Sequence, residues 1–176
     1  MTENKPSILI VEDDSNIRKT LNTILEQNGY ETDTAENGRE AIQKSQGKFF
    51  NLALLDIKLP DMEGTKLLIS MHETQPKMMK IMITGYPSVE NAVDALNYGA
   101  DAYVIKPFKP EKLLELIEKK LVEQGEAEKI TEEKVTEWIK TRVRKTKEPA
   151  RARSAASPVH KQKRRKKTKP DLILYI

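Results

Sequence analysis

The chain has 176 residues, of which 38% are hydrophobic and 33% charged, a composition that suits one folded domain with an appendage. It contains no cysteine, which excludes disulfides and thiolate metal sites. The charge is uneven: residues 1–125 carry 15 basic against 20 acidic side chains, net −5, and residues 126–176 carry 16 against 7, net +9. No apolar stretch has the length of a signal-peptide core or a membrane span, so we expect a cytoplasmic protein without a membrane span.

The first predicted element is a short strand. The apolar run Ile8 to Val11 predicts a buried strand, and it ends abruptly in the acidic residues Glu12 and Asp13. The following helix carries apolar residues at helical spacing, and we expect Ser15 to cap its N-terminus. Acidic side chains at a strand end therefore precede the first helix.

The second and third strands differ in polarity. Residues 30–35 are polar enough for an edge strand, and a helix opens after them at Asn37 and Gly38. The run from Asn51 to Asp56 is almost continuously apolar, which indicates a parallel strand buried on both faces. Asp56 stands at its C-terminal end, the edge where open α/β sheets bind their ligands.

Strands and helices continue to alternate up to Val122, a pattern that specifies a parallel sheet covered on both faces. The remaining predicted elements are a helix over 64–73, a strand over 80–84, a helix over 87–98, a strand over 102–105 and a helix from Pro110. We predict an α/β fold with a doubly wound, five-stranded parallel sheet of the flavodoxin-like order 2-1-3-4-5.

Polar residues follow four of these strands, and parallel strands bring their carboxyl ends to one edge. Glu12, Asp13 and Asp56 then share one place, where a cation is needed to keep all three carboxylates ionised. Mg²⁺ suits such oxygen ligands. Thr84 and Lys106 end the next two strands and supply a hydroxyl and a positive charge for phosphoryl oxygens.

These residues, in this order and spacing, resemble the receiver domain of two-component response regulators. The motif consists of Glu12 with Asp13, Asp56 followed by the run Leu59 to Gly64, Thr84 with Gly85, and Lys106-Pro107-Phe108. The resemblance covers roughly residues 5–123, about two thirds of the chain. It implies a phosphoprotein that receives a phosphoryl group from a sensor histidine kinase or a phosphotransfer protein.

The resemblance also implies a role for each matching residue. Asp56 matches the phosphoacceptor. Asp13, Asp56 and the backbone carbonyl of Lys58 match the magnesium ligands, while Glu12 matches an acid that helps through water. Thr84 and Lys106 match the residues that contact the phosphoryl oxygens, and Tyr103 matches the aromatic switch residue that turns inward with the hydroxyl.

The change of charge places a boundary near Gln124 and Gly125, so we predict three parts: a receiver domain over 1–125, an amphipathic helix over 126–147 and a basic, disordered tail over 148–176. The helix has Val135, Trp138, Ile139 and Val143 at helical spacing. Two interpretations stay open for it. It packs on or extends the last receiver helix, or it binds a partner, which includes a second copy of the chain.

The tail contains the basic run 161–167 and ends in the apolar segment Leu172 to Ile176. The basic run suits phosphate neutralisation on nucleic acid, contact with an anionic lipid surface, or contact with the acidic receiver. The apolar end suits addition of a strand to a partner's sheet edge.

Two functional hypotheses follow. The first is a phosphorelay switch in signal transduction, in which the receiver catalyses only its own phosphorylation and dephosphorylation and is otherwise not an enzyme. The alternative is a nucleic-acid-associated regulator whose basic tail is gated by the receiver. A hydrolase of the haloacid dehalogenase type is disfavoured, because that family has a second Asp two residues after its nucleophile and Lys58 stands there.

Overall fold

A computed structural model describes residues 5–147 and 171–173. Strands and helices alternate along it from the first strand to the last helix. The elements are β1 (Ser7–Val11), α1 (Ser15–Gln27), β2 (Glu31–Ala35), α2 (Gly38–Gly47), β3 (Leu52–Asp56), α3 (Gly64–Thr74), β4 (Met79–Thr84), α4 (Val89–Asn97), β5 (Ala102–Ile105), α5 (Pro110–Lys147) and β6 (Asp171–Ile173).

The strands form one parallel sheet in the order β2-β1-β3-β4-β5-β6. The predicted five-stranded order 2-1-3-4-5 is therefore confirmed, and a sixth strand is added to it. β6 pairs with β5 in parallel, with Ala102 opposite Asp171 and Val104 opposite Ile173. Residues 171–173 thus extend the chain's own sheet, whereas the sequence suggested the sheet of a partner. Backbone pairing with a strand this distant in the chain leaves no local signature in the sequence.

Alternate residues of the central strands face opposite sides of the sheet, and each side has its own core. One core contains Leu9, Leu55 and Met82 and is covered by buried residues of α2, α3 and α4. The other contains Ile10, Leu54 and residues of α1 and α5. This double burial is why the strands read as continuous apolar runs, and it holds their carboxyl ends at a common edge.

The cap of α1 differs from the prediction. The Oδ1 atom of Asp14 accepts hydrogen bonds from the backbone N–H groups of Asn16 at 2.8 Å and Ile17 at 3.0 Å, so Asp14 is the N-cap and Ser15 is the first helical residue. Both side chains are good caps, and the choice depends on where the backbone enters the helix. Because Asp14 is used in this way, Glu12 and Asp13 are the acids left at the end of β1.

The described residues form two compact units. The first contains the residues up to Gln124 together with β6, and the second contains residues 125–147. Helix α5 contributes to both, so residues 126–147 continue the last helix of the first unit. Among the residues that the structure describes, no helix combines the length and the apolar composition that a membrane span requires.

The basic run 161–167 and the rest of the tail up to residue 170 lie outside the described residues, as do residues 174–176. The predictions of a disordered, nucleic-acid-binding or lipid-binding tail therefore remain predictions. The same holds for the division into three parts at residues 125 and 147.

Candidate functional site

The site lies at the carboxyl edge of the sheet, where four neighbouring strands end. β1 is followed by Glu12 and Asp13, β3 ends in Asp56, β4 ends in Thr84, and β5 is followed by Lys106. The backbone N–H of Lys106 donates to the carbonyl oxygen of Thr84 at 2.7 Å, which ties the last two strand ends together. The Lys106–Pro107 peptide bond that follows is cis.

Three carboxylates meet at this edge. One carboxylate oxygen from each of Glu12, Asp13 and Asp56 lies within 4.8 Å of the others. Glu12 is 3% exposed and Asp56 is 7% exposed, whereas Asp13 faces solvent. Burial raises the pKa of Glu12 above its ordinary value, and the ion pair with Lys106 only partly opposes this effect. The cluster offers hard oxygen ligands with open access on one side, which suits a divalent cation such as Mg²⁺.

Lys106 bridges two of the three acids. Its Nζ atom donates to Glu12 Oε2 at 2.5 Å and to Asp56 Oδ2 at 2.8 Å, with the lysine side chain only 15% exposed. Burial would lower the pKa of Lys106, but the hydrogen bonds to Asp56 and Glu12 outweigh burial and raise it. The ammonium therefore stays charged and holds the two carboxylates beside each other.

The loop after β3 supports Asp56 from the other side. The backbone N–H of Lys58 donates to Asp56 Oδ1 at 3.1 Å, and the loop closes by a bridge between Lys58 and Glu63. The N–H of Gly64 donates to the carbonyl oxygen of Ile57 at 2.7 Å. A Cβ atom on Gly64 would lie 2.0 Å from the carbonyl oxygen of Asp56. The close turn at Gly64 therefore sets the path of the chain directly behind Asp56.

Thr84 and Tyr103 are both buried, on neighbouring strands. Thr84 is 0% exposed, and its Oγ1 atom accepts a hydrogen bond from the backbone N–H of Tyr86 at 3.0 Å. Tyr103 is 1% exposed, so its ring lies inside the protein, and burial raises the pKa of its phenol. Both predicted switch residues are therefore buried side chains on the neighbouring strands β4 and β5.

Three residues that the sequence did not single out shape this edge. Arg18 donates from Nη1 to the carbonyl oxygens of Glu12 at 2.7 Å and Asp13 at 3.1 Å, which fixes the backbone of the acidic pair. Nothing in the sequence pattern signals this role.

Asp61 and Tyr86 are the other two. The carboxylate of Asp61 accepts from the N–H groups of Gly38 at 2.8 Å and Arg39 at 2.9 Å, so it joins the β3–α3 loop to the start of α2. The ring of Tyr86 lies 4.0 Å from Lys58 Nζ, a cation–π contact between the loops after β3 and β4. Asp61 stands within a motif that was recognised, but its bonding partners are 22 and 23 residues away.

Comparison with known proteins identifies the family of this chain. The family described as "Response regulator receiver domain" matches residues 8–118. The Regulatory protein AtoC of Escherichia coli K12 is 40% identical over 114 residues, which is 65% of this chain and 25% of AtoC. The chain spans between a quarter and about half of the length of the first curated relatives that it matches.

Solved structures of response regulator proteins also match this chain. A CheY-like response regulator receiver domain protein from Methanospirillum hungatei is 53% identical, with a TM-score of 0.69, and the match covers 70% of this chain and 98% of that one. Response regulator protein TrrA from Thermotoga maritima, solved in complex with Mg²⁺ and BeF, is 34% identical with a TM-score of 0.61; the match covers 65% of this chain and 98% of TrrA.

Proposed function

This chain belongs to the family of response regulator receiver domains, and from that premise we propose that Asp56 accepts a phosphoryl group in a two-component phosphorelay. One observation carries the proposal: Asp56 Oδ2 lies 2.8 Å from Lys106 Nζ, and the carboxylates of Glu12 and Asp13 complete an acidic site around it. The partner is a sensor histidine kinase or a phosphotransfer protein. The proposal also places the chain in the cytoplasm.

The proposed reaction transfers a phosphoryl group from a histidine nitrogen to a carboxylate oxygen of Asp56. A carboxylate oxygen of Asp56 forms a bond to the phosphorus of a phosphohistidine as the P–N bond breaks, and the electron pair of that bond leaves with the imidazole. Negative charge on the phosphoryl oxygens needs a positioned cation. Lys106 supplies one, because its ammonium is already held beside Asp56. The N–H of Lys58 orients the carboxylate.

The acidic cluster fits Mg²⁺. Asp13, Asp56 and the backbone carbonyl of Lys58 would hold the ion directly, with Glu12 acting through water. When bound, Mg²⁺ neutralises charge on the carboxylates and on the transferred group. In this proposal the chain turns over its own acyl phosphate and no separate metabolite, so it is a switch and not an enzyme in the usual sense.

The switch itself involves Thr84. A phosphoryl group on Asp56 presents oxygen acceptors to the Thr84 hydroxyl, whose Oγ1 now holds the N–H of Tyr86. Movement of Thr84 would therefore change the start of the loop before α4, and Tyr103 on β5 belongs to the same buried cluster as Ala95 of α4. The exposed side chains Tyr86, Val89 and Val93 follow directly, so we propose that phosphorylation changes partner binding there.

The proposal is tested by incubating the full chain with acetyl phosphate. We expect one phosphoryl group per chain by intact mass, formed with Mg²⁺, lost when EDTA is present, and released by hydroxylamine as an acyl phosphate is. Labelling that persists in EDTA and resists hydroxylamine would show that the acceptor is not a carboxylate in a metal-dependent site.

Asp13→Asn is expected to raise the melting temperature in EDTA by about 2–4 °C, because it removes one of three mutually repelling carboxylates. Mg²⁺ should stabilise the wild type and fail to stabilise the variant. Thermal unfolding followed by circular dichroism, in EDTA and in Mg²⁺, measures both effects. Asp94→Asn, on the exposed side of α4, is the matched control and should keep the magnesium effect. A variant that is still stabilised by Mg²⁺ would remove Asp13 from the metal site.

The second candidate function, a nucleic-acid-associated regulator, is supported by the net charge of +9 over residues 126–176. The relatives include proteins named transcriptional regulatory protein ZraR. Binding of the full chain to DNA or RNA, with and without acetyl phosphate, tests it. Affinity must fall with salt if phosphate neutralisation is the mechanism, and a phosphorylation-independent affinity would contradict gating by the receiver.

A further inference from the structure

The second part of helix α5 has an exposed apolar face. Every residue from 131 to 140 is exposed. Val135, Trp138 and Ile139 are 51%, 57% and 49% exposed, and their spacing of three and four residues places them on one side of the helix. Ile130 is equally exposed at 50%, but at about 100° per residue it lies about 180° around the helix from Ile139 and about 140° from Val135, so it stands outside this stripe. The apolar face is thus a local stripe of three large side chains.

An amphipathic helix gains most of its stability from packing its apolar face. The stripe is the kind of surface that a partner covers, and the charge along the same helix identifies that partner. Residues 126–137 contain five Glu and two Lys, net −3, whereas residues 138–147 contain five Lys or Arg and no acid, net +5. The helix is therefore acidic in its first half and basic in its second half, with the apolar stripe across the change of sign.

Such a helix is complementary to itself in one orientation only. If two copies pair in parallel, the acidic half of one helix lies beside the acidic half of the other, and the two basic halves also lie beside each other. If they pair in antiparallel, each acidic half lies beside the basic half of the other copy. We propose that this protein forms a homodimer in which residues 126–147 of two copies pair antiparallel, centred near residue 137, with the apolar stripes facing each other.

The proposed pairing matches the helix dimensions. Residues 126–147 span about 33 Å at 1.5 Å per residue. A centre near residue 137 brings Trp138 of one copy level with residue 136 of the other. The Trp138 ring of each copy then packs against Val135 of the other copy. Burial of these side chains supplies the affinity, while the charges select the orientation, because exposed ion pairs add little affinity of their own. The inference does not depend on phosphorylation of Asp56.

The first test measures the oligomeric state of the full chain by sedimentation equilibrium over a range of concentrations. We expect a monomer–dimer equilibrium. Trp138→Ala should raise the dissociation constant at least about tenfold, since a central aromatic residue is lost twice in a symmetric dimer. Ile130→Ala, the matched control at an exposed apolar residue outside the stripe, should change it less than about threefold.

Salt and disulfide cross-linking then report the orientation. Higher NaCl should weaken an antiparallel dimer by screening attraction, and it should strengthen a parallel one by screening repulsion. Because the chain has no cysteine, Glu132→Cys and Arg142→Cys each introduce a single thiol. In antiparallel pairing a mixture of the two variants should give mostly mixed disulfides. Two thiols at position 132 would be about 15 Å apart, too far for a disulfide.

Three results would overturn the proposal: a wild-type chain that stays monomeric at all concentrations, a dimer that Trp138→Ala leaves unchanged, or efficient disulfides between two copies of Glu132→Cys. The first would mean that the stripe is covered by another surface or partner. The second would place the dimer contact elsewhere in the chain. The third would establish parallel pairing.

Discussion

Asp56→Asn is expected to abolish phosphoryl incorporation from acetyl phosphate, with a loss of at least about 10³-fold in rate. The amide that replaces the carboxylate is a poor nucleophile, and it cannot form the acyl phosphate that a carboxylate forms. The variant also replaces one of the two charged acceptors of the Lys106 ammonium with a neutral amide. Intact mass and a phosphate-affinity gel, followed over time with Mg²⁺ present, measure the loss.

Two controls make the result specific to Asp56. Asp94→Asn makes the same chemical change on an exposed helix surface and should be labelled like the wild type. Circular dichroism should show that Asp56→Asn is folded, because the remaining Glu12 carboxylate keeps its contact with Lys106 at 2.5 Å. Full labelling of Asp56→Asn would move the phosphoacceptor to another residue, with Glu12 and Asp13 the nearest carboxylates.

Gly64→Ala is expected to destabilise the fold by about 1–3 kcal/mol or more. The added Cβ would lie 2.0 Å from the carbonyl oxygen of Asp56 and 2.8 Å from the Cα atom of Ile57. Both are backbone atoms that cannot rotate away, so β3 or the start of α3 must shift. Chemical unfolding gives the loss of stability, and the labelling assay should show slower phosphorylation because Asp56 itself is displaced.

Gly125→Ala is the matched control. Gly125 lies within α5, and a Cβ atom there would meet nothing within 4 Å. Alanine should therefore stabilise the chain by about 0.5–1 kcal/mol, as expected for a helix interior. If both variants were equally stable, the close approach of Gly64 to Asp56 would be relieved by small backbone movements, and the turn would not be what sets the position of the phosphoacceptor.

The arrangement of the first five strands followed from the sequence because burial leaves a local pattern. A parallel strand packed on both faces reads as an apolar run, and Ile8 to Val11 and Leu52 to Leu55 are buried on both sides. Alternation with helices then restricts the topology to a few choices. The acids and the lysine at the strand ends could be placed together for the same reason, since parallel strands share one carboxyl edge.

Other features depended on contacts between distant segments. The bond from Lys106 to Glu12 joins residues 94 positions apart, and Arg18 reaches back to two backbone carbonyls. The pairing of β6 with β5 also had no local signature, and the sequence left open whether the helix over 126–147 extends α5. Sequence patterns report which residues are buried and at what spacing they recur, because each helix or strand has its own pattern of burial. Which side chains meet, and at what distance, depends on how the packed segments are placed in space, and that became visible in the folded chain.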